Sequence, residues 1–294
     1  EIYIFNSMVL EALINPVEGE ENFWKIFLLG LIYSSVGILL SLWVFREESS
    51  QVMVFLTVLA SIPLVYSTIK YEEKKDCEPT KESRLLCEHS KAISMFMFLF
   101  MGFFASFILW YVFLPQESVS YVFQSQTQTI ISINSNFQGH SINPMAPAMT
   151  IFLNNVKVMI ICLIFSFAYG AGAIFVLTWN ASVGGVFIGN LIRTELAQLP
   201  SKSLINYFSI GALGLIRYVP HGLLEMAAYF IAGLAGGIIS VAMIKRNFNR
   251  ETLERILLDT SDLILISVVI LFIAALIEVF ITPSLYLWWD NLIA

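Results

Sequence analysis

The chain has 294 residues, 57% of them hydrophobic and only 13% charged, with a mean hydropathy of +0.77. Soluble domains carry roughly 25% charged residues, so this composition excludes an ordinary water-soluble globule and indicates an integral membrane protein. A net charge of −6 without any dense Lys/Arg face excludes a nucleic-acid partner and leaves membrane lipid as the main surroundings.

Several windows stay apolar for the about 20 residues that a helix needs to cross a hydrocarbon core of roughly 30 Å, whereas barrel strands would alternate. The expected fold is all-α: a polytopic transmembrane helix bundle of about seven spans plus a short broken or re-entrant element. The opening EIYIFNSMVLEALINPVEGEE has neither the basic start nor the small-residue cleavage site of a signal peptide. Residues 2–14 within it predict a short amphipathic helix, and 1–22 form the first unit.

A first span is expected at about 23–45 and a second at about 51–69, with Pro63 a kink that a bundle tolerates. The polar connection 70–91 carries Lys70, Lys74, Lys75, Lys81, Arg84 and Lys91, so it faces the cytoplasm. A third span at about 92–114 completes a unit over 23–114. The segment 115–150 has no Lys or Arg and is expected as an extracytoplasmic loop; residues 151–294 form the transmembrane core.

In that core the fourth span opens with FLNN and runs inward. NASVGGVFIGNLI, residues 180–192, is short and rich in Gly and Asn, which predicts the broken or re-entrant element. RTELAQLPSKS, with Arg193 and Lys202, then reads as cytoplasmic. Residues 204–244 fit two crossings that meet at YVP, with Pro220 starting the second. The basic stretch KRNFNRETLER is again cytoplasmic, and the last span, about 262–282, leads out to PSLYLWWDNLIA, whose aromatic residues suit the headgroup level. The expectation is a multi-pass cell-membrane protein with its amino terminus in the cytoplasm and its carboxy terminus outside.

Ionisable groups inside a membrane cost about 2.5–3.5 kcal/mol on insertion scales, so each calls for a partner or a use. His221 and Glu225 stand four residues apart and share one helix face. Glu278 lies about one turn inside the end of the last span, Asn154 and Asn155 open the fourth, and Arg217 closes the sixth element. At about 1.5 Å of rise per residue, this topology brings all of them within a turn or two of the outer boundary.

The set His221, Glu225, Glu278 and Asn154 offers N and O ligands for zinc or another divalent metal, with Arg217 and Asn155 as supporting polar groups. The competing reading is a structural cluster in which Arg217 neutralises one glutamate, His221 hydrogen-bonds the other, and the network pins helices together. A proton or substrate relay is the third. There is no H-E-x-x-H helix, no G-x-S-x-G elbow and no phosphate loop in the sequence. Asp259 and Asp262 fit helix capping.

Small residues are dense in AYGAGA, SVGGVFIG and IAGLAGG; close helix packing explains them, and a homodimer face is the sharper alternative. Cys77 and Cys87, with His89 nearby, match no zinc-knuckle spacing and read as free cytoplasmic thiols, a loop disulfide being the alternative. Cys162 reads as packing and His140 as a solvated loop residue.

PHGLLEMAAYFIAGLAGG, IAALIEVFITP and the FLNN start of the fourth span together resemble the stage II sporulation protein M family of bacterial and archaeal multi-span membrane proteins. The resemblance covers roughly residues 150–285, and NASVGGVFIGN looks like the family's Asn/Gly-rich segment. No family motif is visible before residue 150. By position, the family's histidine and glutamate motif falls on His221 and Glu225, and its late glutamate on Glu278. The resemblance implies a partner protein that holds cell-wall hydrolases at the membrane rather than cutting anything itself; archaeal relatives do not sporulate.

The leading expectation is therefore a homodimeric scaffold or docking component for other membrane or envelope proteins, with a polar cluster suited to a divalent metal near the outer leaflet. The alternatives are a metal-dependent intramembrane hydrolase using Glu225 or Glu278 as general base, and a small-molecule or lipid transporter using the broken element.

Overall fold

The structure, a computed structural model, describes residues 22–76, 85–136, 145–199, 203–244 and 250–285. The amphipathic helix expected at 2–14, Cys77, His140 and the Trp-rich tail lie outside the described residues, as does the side chain of Cys87.

Helices α1 (Phe23–Val44), α2 (Ser49–Asp76) and α3 (Leu85–Phe113) come first. Two short helices follow, α4 (Gln116–Val122) and α5 (Gln124–Asn136), and then α6 (Met145–Tyr169), α7 (Ala173–Gln198), α8 (Leu204–Ile244) and α9 (Arg250–Leu276). A π-helical turn, Ile277–Ile281, continues α9. Seven of these elements are long and apolar enough to cross a membrane: Phe23–Val44, Ser49–Glu72, His89–Phe113, Met145–Tyr169, Ala173–Gln198, Ile205–Ile244 and Leu253–Leu285. The all-α, seven-span bundle is thus as the sequence implies.

Helix α1 shows why these segments fit lipid. Leu28, Ile32, Val36 and Leu39 form an exposed apolar stripe at helical spacing, closed at its two ends by Trp24 and Trp43, 70% and 82% exposed. In water that surface would be a liability; in a bilayer it is the solvated face, with the indoles at headgroup depth. The opposite face is tight. A Cβ on Gly30 would stand 2.5 Å from the Leu99 carbonyl oxygen of α3, so the two backbones touch there. Ser35 and Ser106 meet at 3.1 Å beside this contact, and Trp110 donates its indole N–H to Ser35 at 3.0 Å.

The passes of the second half differ from the sequence expectation in two places. Residues 180–192 are the middle of α7, a continuous 26-residue helix, and not a broken or re-entrant element. Their glycines serve packing: a Cβ would lie 2.9 Å from the Phe104 ring at Gly184, 2.7 Å from Phe107 Cβ at Gly185 and 2.7 Å from the Tyr111 ring at Gly189. One aromatic ridge of α3 therefore fills one glycine groove of α7. Neither asparagine breaks the helix, since Asn180 donates to its own Val176 carbonyl at 2.8 Å and Asn190 accepts from the Tyr111 hydroxyl at 3.3 Å.

The second difference is α8, which is one 41-residue helix with Pro220 inside it and not two crossings that meet there. Proline removes one N–H, a loss that neighbouring helices in a membrane bundle tolerate. At 1.5 Å per residue α8 is about 60 Å long, roughly twice a hydrocarbon core, so part of it stands beyond the lipid tails.

These differences move residue 193 to the other side. Arg193 donates to the Leu114 carbonyl, to Gln116 Oε1 at 2.5 Å and to the Val112 carbonyl at 3.3 Å, so it closes the carboxy-terminal end of α3. It therefore lies on the side of the 115–150 segment, opposite to the cytoplasmic placement the basic residues suggest. One added crossing at α7 and one removed at α8 leave the number of passes unchanged.

Within the segment 115–150, residues 116–136 form two helices and not a plain loop. Helices α4 and α5 fold back on the bundle end, tied by Arg46 to Glu117 at 2.5 Å, by Ser50 to Ser125 at 2.7 Å and by Gln126 to the Ser50 carbonyl at 3.1 Å. Phe123 seals this end against Tyr111 and Phe107. Between α6 and α7 the chain reverses within three residues, which Gly170 permits by adopting φ +70°.

Candidate functional site

The polar residues singled out in the sequence fall on α6, α8 and the end of α9. Asn155 is buried on α6, and its side-chain amide donates to Glu225 Oε1 of α8 at 2.5 Å. One turn before Glu225, His221 Nδ1 lies 3.3 Å from Thr282 Oγ1, and that hydroxyl donates to the Ile277 carbonyl at 3.2 Å. Because the Thr282 proton is committed to Ile277, His221 supplies the proton of the first bond. The imidazole is thereby assigned as the Nδ1–H tautomer, with its lone pair on Nε2.

Glu278 sits in the π turn one turn before Thr282 and is half-buried. A π turn carries one residue more than α-helix geometry needs, and such turns are frequent at functional sites. Nothing in the local sequence predicts it. Among the described residues neither Glu225 nor Glu278 has an ion-pair partner.

Asn155 is near the middle of the 25-residue α6 and Glu225 near the middle of the 41-residue α8, while Glu278 stands about two turns before the end of the span Leu253–Leu285. Asn154, the amide expected as ligand, is exposed on the far face of α6. A one-residue step turns a helical side chain by about 100°, which is why Asn155 and not its neighbour enters the cluster. Arg217 is exposed on α8, its guanidinium 5.8 Å from the Phe187 ring centroid of α7.

Two participants are absent from the expected set. Thr282 stands four residues after Glu278, a spacing that could have drawn attention to it. Tyr218, three residues before His221, stacks on Phe104 at 5.2 Å and meets the His221 ring edge-on at 5.8 Å. Its hydroxyl occupies the space beside Gly184, where a Cβ would come within 2.8 Å.

A divalent ion needs at least three convergent donors in addition to any water. Among the described residues no group of three His, Cys, Asp or Glu side chains converges in that way. Asn155 with Glu225 and His221 with Thr282 make a hydrogen-bonded knot between α6, α8 and the end of α9.

A second histidine behaves differently. His89 Nδ1 lies 2.5 Å from Glu72 Oε2, with both side chains fully buried where α2 and α3 come together. Sequence analysis places both in a solvated connection; the helices extend far enough to bury them.

Comparison with known proteins agrees with the motifs. The family model described as stage II sporulation protein M matches residues 94–283, well beyond the 150–285 over which motifs are visible, and takes in most of α3 together with α4 and α5. An uncharacterized protein of Methanocaldococcus jannaschii is 34% identical over 139 residues, covering 46% of this chain and 71% of that protein. No solved structure matches the chain.

Proposed function

The chain belongs to the stage II sporulation protein M family, and from that premise we propose that it is a non-catalytic membrane scaffold whose polar knot fixes the packing of α6, α8 and α9. The observation that carries this reading is the 2.5 Å bond from Asn155 to Glu225, buried between two helices whose contact residues are 70 positions apart. Inside a bilayer such a bond has few competitors, so it sets register and rotation between helices that apolar packing alone would leave free to slide.

Close glycine contacts add to it. A Cβ on Gly236 of α8 would lie 2.6 Å from the Leu163 carbonyl oxygen of α6, so the two backbones are in contact two to three turns beyond the knot. A rigid core of this kind suits a platform. The surface it supports is the cap formed by α4 and α5, which is joined to the α1–α2 turn, α2 and α7 by the bonds of Arg46, Ser50 and Arg193. Other membrane or envelope proteins are the proposed occupants of that cap, on the extracytoplasmic side by the charge bias of the 70–91 connection.

Elemental analysis of the purified protein tests the knot. The wild type should carry no stoichiometric metal and should unfold at the same temperature with or without chelator, whereas Glu225→Ala should unfold at a lower one. Stoichiometric metal that is lost in both His221→Ala and Glu225→Ala would overturn the scaffold reading in favour of a metal centre. For the platform, a photo-crosslinking residue at Ile131, 62% exposed on α5, should yield discrete protein adducts in native membranes. Adducts with lipid alone would refute it.

A further inference from the structure

The face of α6 opposite the knot carries a feature that its own chain leaves unanswered. Lys157 stands at the middle of the 25-residue α6, two residues beyond Asn155 and so about 200° round the helix from the side that meets α8. It is exposed, with Leu153, Ile161 and Ile164 around it and Asn154 one turn before it. Each end of α6 is twelve residues away, about 18 Å, further than a lysine side chain reaches by snorkelling. A lysine amine at mid-depth on a lipid-facing helix costs about 2.5–3.5 kcal/mol on insertion scales unless a polar group meets it. Among the described residues none does.

The complement lies at the same depth. Glu225 meets Asn155, and His221, one turn earlier on α8, meets Thr282, one turn after Glu278. Glu278, Glu225 and Asn155 therefore share a level, and Lys157 is about 3 Å of helix rise from it. Glu278 is half-buried and without an ion-pair partner among the described residues. Helices α6 and α9 are also the two least covered spans of the seven, and they adjoin through the edge-to-face contact of Phe152 with Phe272 at 5.5 Å.

We infer that the α6 and α9 face is the seat of a second copy of this chain, in which Lys157 of each copy meets Glu278 of the other. A two-fold axis along the membrane normal preserves depth and sets each α6 against the second copy's α9, so the contact closes with two identical charge pairs. A contact of α6 with α6 would set lysine against lysine; the alternation of cation and carboxyl selects the crossed arrangement. The second copy thereby supplies a cation to Glu278. This inference uses one carboxyl of the proposed scaffold knot, and its readout is independent of that reading.

Single-molecule photobleaching of labelled protein in phosphatidylcholine and phosphatidylglycerol vesicles, across a range of protein-to-lipid ratios, measures the dimer directly. The wild type should dimerise, and Lys157→Leu, which removes both pairs, should lower the dimer-to-monomer equilibrium constant about tenfold or more, as expected for two polar pairs in a membrane. Glu278→Gln should do the same, and the two substitutions together should lose no more than either alone. Lys157→Arg should retain the dimer. Because Lys157 makes no hydrogen bond or ion pair among the described residues, Lys157→Leu should leave the unfolding temperature of the monomer unchanged, which separates lost association from lost structure. A wild type that stays monomeric at every ratio, an unchanged dimer in Lys157→Leu, or additive losses from the two substitutions would each overturn the inference.

Discussion

Glu72 and His89 meet at 2.5 Å, and so do Glu225 and Asn155, yet the two pairs occupy opposite kinds of surroundings. The first joins consecutive helices, α2 and α3, where the seven-span pattern ends one span at Glu72 and begins the next at His89, and its side chains are wholly enclosed. The second joins the middles of two helices distant in sequence, and it borders on half-buried Glu278 and His221. A sealed ionisable pair can only hold structure together. An open one retains oxygen and nitrogen atoms that a partner, a ligand or a second copy can reach, and this is why function is sought at the second pair.

The largest effect belongs to the sealed pair. Removing one member of a buried pair leaves the other without compensation, so Glu72→Leu and His89→Leu should each destabilise by about 3 kcal/mol in thermal or denaturant unfolding in detergent. Replacing both at once should restore most of that loss, because an apolar pair of similar volume is often neutral relative to a buried ion pair. Single substitutions that cost under about 1 kcal/mol would show that the pair does not staple α2 to α3.

The open pair should respond less and more selectively. Asn155→Leu removes the donor and leaves the Glu225 carboxyl facing an apolar neighbour, for a loss of about 1–2 kcal/mol. Asn154→Leu, one residue away but on the exposed face, should leave unfolding unchanged. Equal losses from the two substitutions would erase the distinction between the faces of α6 and with it the geometry of the knot.

That distinction marks how far the sequence was legible. Composition and apolar runs account for the number of spans and for five of the seven, and the rarity of ionisable groups in lipid is enough to select His221, Glu225 and Glu278. The choice between Asn154 and Asn155 depends on helix rotation, which is set by packing against α8 and not by α6 itself. The glycines of α7 misled for a related reason: Gly184, Gly185 and Gly189 look like helix breakers until the aromatic ridge Phe104, Phe107 and Tyr111 is placed against them. Pro220 and Arg193 follow the same rule. A proline reads as a boundary and an arginine as a cytoplasmic marker only while their neighbours are unknown.

The smallest expected effect tests the finest part of the comparison, the proton between His221 and Thr282. Thr282→Val keeps the shape of the side chain but removes the hydroxyl that accepts from Nδ1 and donates to the Ile277 carbonyl. The stability loss should be only about 0.6 kcal/mol, the mean for polar contacts between membrane helices. The imidazole itself should report more clearly: with the acceptor gone nothing holds the proton on Nδ1, so the ¹⁵N shifts of His221 should move from those of an Nδ1–H ring toward a mixture of the two tautomers. Unchanged shifts would mean that Thr282 does not orient the ring, and that the open character of this pair extends only to its carboxyls.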